Sequence, residues 1–461
     1  MARARGVRPV VHFLAGALAG ASAAILYESV VARRGLDPRL VRGSREDPDL
    51  PATVLVPGIL GSELIRPDGV EAWLNTGNAL GHHDLRLPLR LPLADSRDTL
   101  RPGGLVGVDS LLPRIFGFTE YADLLDFLEA AGFSRDERHG GQRGAIHHVF
   151  TYDWRRCIAE AARRLGDYLD ELAVRRGEPE ARFNLIGHSM GGLVARYYLR
   201  FGSQEPAPGM PITWAGARRI ANLILVATPS GGSIPALDAV LHGDRVGFSS
   251  TTLASDVIAR MPSIYQLLPP PETRPLVVPG EGPQAADLLD PALWERHGWG
   301  PYAAGLRPRG VNGSRAEEKA FLAAVLERAR LVREALASSP TTPCPARVLL
   351  LGGDCLPTLA RALQSGGDGP LRFQPASPAE AEAMLEGGDG RVTRASALAA
   401  HLPQAEGSEH GCGLAEVRQA FFGAADHHGI YREPTFQSLL LRVLLRPLRQ
   451  QRPLTAGFGG P

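Results

Sequence analysis

Short, almost wholly apolar runs alternate along this chain with longer stretches whose apolar residues recur every three or four positions. Ala52-Thr-Val-Leu-Val-Pro57 is β-branched and is stopped by Pro57 and Gly58, which predicts a buried strand. Runs of the same kind stand at 146–152, 182–187, 219–227 and 347–351. Tyr121, Leu124, Leu125 and Leu128 keep helical spacing and predict a helix over 121–131, with Gly132 as its stop. Further helices are predicted over 158–174, from about 189 to 199, and over 316–337. Strand, helix and strand at this spacing, with strands apolar on both sides, predict an α/β fold: a mostly parallel sheet with helices on both faces.

Two stretches break the pattern. Residues 61–115 show no clean period and many Pro, Gly and Asp residues, so they read as an irregular excursion over one face. Residues 233–345 read as an insertion, Pro-rich at first and then carrying the 316–337 helix. The organisation that follows is an N-terminal segment 1–50, a first core part 51–232 with the excursion 61–115, the insertion 233–345, and a second core part 346–461. At the start, Arg3, Arg5 and Arg8 precede an apolar run from Val10 to Tyr27 that holds the A-x-A site Ala21-Ser22-Ala23. This is a signal or anchor segment, implying export or membrane association, or else a small-residue helix packed on a cytoplasmic domain.

Composition narrows the function class. Fifty Lys+Arg against 49 Asp+Glu gives a net charge of +1, without the basic excess of a nucleic-acid binder. Almost every basic residue is Arg, with Lys319 the one lysine, which reads as the codon bias of a GC-rich bacterial genome. Four cysteines, at 157, 344, 355 and 412, are too sparse for a disulfide scaffold, although a single Cys344–Cys355 bridge stays open. No Gly-x-Gly-x-x-Gly, P-loop or His-Glu-x-x-His motif is present, so no nucleotide cofactor or metal is expected. The adjacent pairs His147-His148 and His427-His428 are poor metal ligands, since neighbours on a strand face opposite ways.

The strongest chemical signal is Gly187-His188-Ser189-Met190-Gly191, placed where a predicted strand turns into a helix. A nucleophile lifted out of such a strained turn needs small neighbours, and Gly187 and Gly191 supply them around Ser189. The oxyanion donors expected for this nucleophile are the amide of Met190 and that of Ile59, which Gly58 can aim. A base must follow in sequence. Of His242, His297, His401, His410, His427 and His428, the loop Ala425-Asp-His-His-Gly-Ile430 has the best context, and spacing alone does not separate His427 from His428. The acid is Asp389 in the turn Gly387-Gly-Asp-Gly-Arg-Val392, or Asp354 just after the 347–351 strand. Asp426 is too close to the base in sequence to orient it.

Taken together, these segments resemble the lecithin:cholesterol acyltransferase family, a phospholipase and acyltransferase branch of the α/β-hydrolase fold. The resemblance rests on Pro57-Gly-Ile-Leu-Gly-Ser62, Tyr152-Asp-Trp-Arg155, Gly187-His-Ser-Met-Gly-Gly192, Ala227-Thr-Pro-Ser-Gly-Gly232, Gly388-Asp-Gly-Arg-Val392 and the His427 loop, in that order. It implies Ser189 as nucleophile, Asp389 as acid, and Ile59 and Met190 as oxyanion amides. The family's spacing to a following Ile and Pro, here Ile430 and Pro434, implies His427 as the base. Residues 61–115, with Trp73, resemble its membrane-binding lid region, while 233–345, which follow the family only loosely, read as a cap insertion. The family's lid disulfide has no counterpart, since no cysteine precedes Cys157, and Arg391-Val-Thr393 stands where Thr-Val-Pro is usual. Tyr152, Asp153, Trp154 and Arg155 carry no catalytic chemistry of their own; a buried Asp153–Arg155 pair with Trp154 packed under the active-site loops is expected.

The function expected is a serine acyl hydrolase or O-acyltransferase on ester-linked lipids, with a lipid or membrane surface as its substrate source. The alternatives are a carboxylesterase on small soluble esters and a non-catalytic lipid-binding or scaffold protein. The sequence leaves open the oligomeric state, the head group and the acyl acceptor.

Overall fold

The computed structural model describes residues 50–73, 84–108, 120–135, 146–245, 252–303, 313–366, 369–404 and 411–446. The apolar run Val10–Tyr27, parts of the 61–115 excursion and His410 lie outside the described residues. Six strands form the central sheet: β1 Thr53–Val56, β2 His147–Val149, β3 Phe183–His188, β4 Ile220–Val226, β5 Arg347–Gly353 and β6 Val417–Gly423. Their order is β6-β5-β4-β3-β1-β2, and every neighbouring pair is parallel.

The register explains why the strands read as unbroken apolar runs. Val54, Leu185, Leu223 and Val348 are partners across four strands, and all belong to the core on one face. One residue on, Leu55, Ile186, Ile224 and Leu349 form the next row and belong to the core on the other face. Both faces are therefore dry, as a parallel sheet requires. The first face is covered by α2 Ile158–Arg175, α3 Met190–Phe201, α4 Ile234–His242 and α5 Arg315–Ala337. The second is covered by α1 Glu120–Ala131 and α6 Pro434–Leu444.

Three features differ from the sequence expectation. Within 61–115, Ser62–Ile65, Glu71–Trp73 and Arg101–Leu105 form a three-stranded antiparallel sheet. Its strands, of three to five residues, are too short to show a period, and Arg101–Leu105 is further broken by Pro102, Gly103 and Gly104. Trp73 is a core residue, 1% exposed; its Nε1 donates to the Leu60 carbonyl at 2.9 Å and its ring meets Trp154 edge-on at 5.6 Å. The edge strand β6 carries no recognisable strand signal, because it alternates weakly and is only partly buried. All four cysteines are free thiols, so no Cys344–Cys355 bridge forms. A further small sheet joins Leu276–Val278 and Gly282–Gln284 to Ala362–Gln364 and Leu371–Arg372, tying the insertion to the second core part.

Candidate active site

Because all six strands are parallel, the loops leaving their C-terminal ends gather along one rim of the sheet, where ligands of open α/β sheets bind. The loop after β1 brings Gly58 and Ile59, the turn after β3 brings Ser189, and the loop after β6 brings His427. Asp389 arrives from an antiparallel strand pair after β5, formed by Leu356–Leu359 and Leu385–Gly388.

Ser189 stands between β3 and α3 with φ 53° and ψ −125°, a conformation that costs about 1–3 kcal/mol for a non-glycine residue. The turn is held open by close approach: a Cβ on Gly187 would lie 2.6 Å from the Gly192 Cα, and one on Gly191 would strike the carbonyls of Val56 and Pro57. Gly58 crosses directly over Ser189. A Cβ there would lie 2.9 Å from Ser189 Cβ and 3.5 Å from its Oγ, so only glycine lets this loop reach the hydroxyl. Met190 is the first residue of α3, so its amide is one of the helix N–H groups without an intrahelical partner.

The structure brings Ser189, His427 and Asp389 into one line. His427 Nε2 is 3.1 Å from Ser189 Oγ, and its Nδ1 is 2.8 Å from Asp389 Oδ2. Asp389 is 2% exposed, and its Oδ1 accepts the amides of Arg391 at 2.9 Å and Val392 at 2.7 Å. Burial works to raise its pKa, but the His427 ring and those two amides outweigh it and hold the carboxyl below its ordinary value. The backbone N–H of His427 also donates to the Asp389 carbonyl at 2.9 Å, so the two loops are tied twice.

The other candidates are placed elsewhere. Asp354 pairs with Arg394 at 2.8 Å. Asp426 caps its own loop, accepting the amides of His428 and Gly429. His242 pairs with Asp238, and His297 stacks on Trp299. His428 makes no bond to Ser189 and turns to the cavity wall, with its Nδ1 3.5 Å from Glu120 Oε1. Burial works against its charged form, but the Glu120 carboxylate prevails and raises its pKa. With the His428 ring half exposed and the contact long, this ion pair contributes at most about 1 kcal/mol. His428→Ala should therefore keep Ser189 reactive towards a fluorophosphonate and shift stability by less than about 1 kcal/mol in urea titration. Loss of labelling in a folded His428→Ala protein would contradict that placement.

Tyr152, Asp153, Trp154 and Arg155 lie under the β1 loop. Tyr152 Oη donates to the Pro57 carbonyl at 2.8 Å, and Trp154 Nε1 to the Ser62 carbonyl at 2.9 Å. Arg155 is fully buried and forks between Asp153, at 2.8 and 2.9 Å, and Asp98, at 2.6 and 3.0 Å. Asp98 lies in the stretch read as irregular, where one carboxylate among many gave no signal. Tyr121 and His188 were also passed over. They read as a helix apolar position and as the variable place in Gly-x-Ser-x-Gly, yet their rings line the site wall.

Ser189 opens into a cavity of about 1000 Å³ including its mouth. Its far wall is apolar, with Leu253, Ile258, Met261, Ile264 and Leu267, while Glu120, Asp244, Arg391 and His428 stand among its polar lining.

Among the described residues no helix is long and apolar enough to cross a membrane. A comparison with curated proteins returns no match. Among solved structures, a chain of the Tle4–Tli4 complex superposes with a TM-score of 0.53 at 14% identity, covering 87% of this chain and 99% of that one. The mature form of the Bacillus licheniformis lipase BlEst2 gives 0.35 at 13% identity, covering 87% and 93%. The first of these supports the fold. Residues 89–296 match the lecithin:cholesterol acyltransferase family, a stretch that includes Ser189 and ends before Asp389 and His427. Over that stretch, less than half of the chain, the sequence is similar to the lecithin:cholesterol acyltransferase family, and the chain is a serine hydrolase or acyltransferase built on the α/β-hydrolase fold.

Proposed function

We propose that Ser189, His427 and Asp389 are a catalytic triad and that the protein is an acyl hydrolase or O-acyltransferase acting on ester-linked lipids. The observation that carries this reading is the hydrogen-bonded line from Asp389 through His427 to Ser189, opening into an apolar cavity. Ser189 Oγ attacks the ester carbonyl carbon as His427 Nε2 takes its proton, and Asp389 stabilises the imidazolium without becoming protonated. The oxyanion that forms is held by the amides of Ile59 and Met190. Collapse breaks the carbon–oxygen bond to the alcohol, which leaves with the proton from His427. Water or a second alcohol then repeats the sequence on acyl-Ser189, and the outcome depends on how far the closed site excludes water.

The apolar wall favours a long acyl chain over a small soluble ester, because each buried CH₂ contributes about 0.8 kcal/mol. Three results are expected. A fluorophosphonate adds one adduct, located on Ser189. Ser189→Ala takes no adduct. Vesicles of mixed phospholipid and neutral lipid yield free fatty acid, or a new ester when an alcohol is supplied. An active protein whose adduct lies elsewhere would overturn the triad. Turnover of short soluble esters alone, with no release from vesicles, would favour the carboxylesterase reading.

A further inference from the structure

His188 is 2% exposed, and both of its ring nitrogens are engaged. Nδ1 is 2.9 Å from Tyr121 Oη, and Nε2 is 3.2 Å from the backbone carbonyl of His427. Tyr121 Oη in turn accepts the N–H of Gly58 at 2.8 Å.

The direction of each bond follows from what each group can do. A carbonyl only accepts, so His188 Nε2 carries a proton. In the neutral ring Nδ1 is then bare and accepts the Tyr121 hydroxyl, whose oxygen accepts from Gly58. Burial holds His188 well below the ordinary histidine range, so the ring is neutral at pH 7, and burial likewise keeps the Tyr121 phenol protonated. The result is a one-way chain, Gly58 N–H to Tyr121 O–H to His188 to His427 C=O. It joins the loop that presents Ile59 to the loop that presents the base. His427 is thereby held at both ends of its backbone, by His188 on the carbonyl and by Asp389 on the N–H.

We propose that Tyr121 and His188 are positioning residues that set the oxyanion loop and the base loop against one another through this buried chain. The inference rests on the triad reading above. Both residues act through other groups, so their removal should affect the transition state more than substrate binding.

The test measures kcat and KM with a chromogenic ester, together with melting temperature. Tyr121→Phe removes the acceptor for Gly58 and the donor to Nδ1. It should lower kcat about 10- to 100-fold, the cost of a small misplacement of reacting groups, with KM within about twofold. His188→Phe should lose a similar amount. His188→Gln retains a donor near the Nε2 position and should recover part of the loss. Tyr121→Phe/His188→Phe should be little worse than His188→Phe, because the chain acts as one unit. Nitrogen NMR of histidine-labelled wild-type protein should find His188 as the neutral Nε2–H tautomer, a readout that needs no variant to fold. Wild-type kcat in folded Tyr121→Phe and His188→Phe, or a lowered melting temperature with kcat unchanged, would overturn the proposal. So would an Nδ1–H tautomer. Ser189→Ala separates the two readings. Activity surviving in it sinks the triad, whereas an inert Ser189→Ala beside a fully active Tyr121→Phe sinks only the positioning role.

Discussion

Asp389→Asn should lower kcat by about 10⁴-fold, while Asp354→Asn leaves it unchanged. The reason is the tautomer that Asp389 imposes. Its Oδ2 accepts from His427 Nδ1 at 2.8 Å, so Nε2 is bare and can take the Ser189 proton across 3.1 Å. An asparagine has one acceptor and one donor group where the carboxylate has two acceptors. Turned one way, its NH₂ faces Nδ1, forces the proton onto Nε2 and leaves Ser189 without a base. Turned the other way, the NH₂ faces the amides of Arg391 and Val392, which donate at 2.9 and 2.7 Å and would meet another donor. Asp354 has no such role, since its carboxylate pairs with Arg394. Single-turnover acylation with a chromogenic ester measures both variants. A dead Asp354→Asn beside an active Asp389→Asn would reassign the acid.

The sequence made the central sheet legible because burial on both faces removes polar residues from β1, β3, β4 and β5 and leaves dense apolar runs. Ser189 was legible because a strained turn admits few residues on either side. His427 and His428 could not be separated by spacing: adjacent residues share a loop, and only the ring directions tell them apart. The family resemblance pointed to His427, the ring found facing Ser189. What stayed hidden has a common cause. Tyr121, Asp98 and Glu416 owe their importance to partners 57 or more positions away, and no local pattern encodes such a pairing. The three-stranded sheet within 61–115 is hidden for a different reason: strands of three to five residues fall below the length at which a two-residue period can be recognised.

Glu416→Gln should cost about 3–5 kcal/mol of stability, the range for removing one member of a buried ion pair. Glu416 is fully buried just before β6. It is held by two arginines of α3, the helix that follows Ser189. Arg196 Nε lies 2.5 Å from Oε1, and Arg200 Nη2 lies 3.1 Å from Oε2. The same guanidiniums reach the end of α5: Arg196 donates to the Leu336 carbonyl at 2.7 Å, and Arg200 to those of Ala335 at 3.1 Å and Ser338 at 2.8 Å. These include carbonyls that a helix end leaves unpaired, and cations are favourable there. One carboxylate is thus the shared counter-ion of the two arginines in the cluster that joins α3, α5 and β6. Burial alone would raise its pKa, but the two arginines bring it down to about 2, while burial brings Arg196 down to about 10, still charged at neutral pH. A glutamine keeps one acceptor and no charge, leaving two buried cations without a counter-ion. The sign with pH follows from the lowered value. Unfolded glutamate titrates near 4.3, so the contribution is complete above that pH and is lost as pH falls towards 2. Urea titrations at pH 7 and pH 3 should show the gap between wild type and Glu416→Gln narrowing by about 2 kcal/mol at the lower pH. A gap independent of pH would mean that shape, not charge, is what Glu416 supplies.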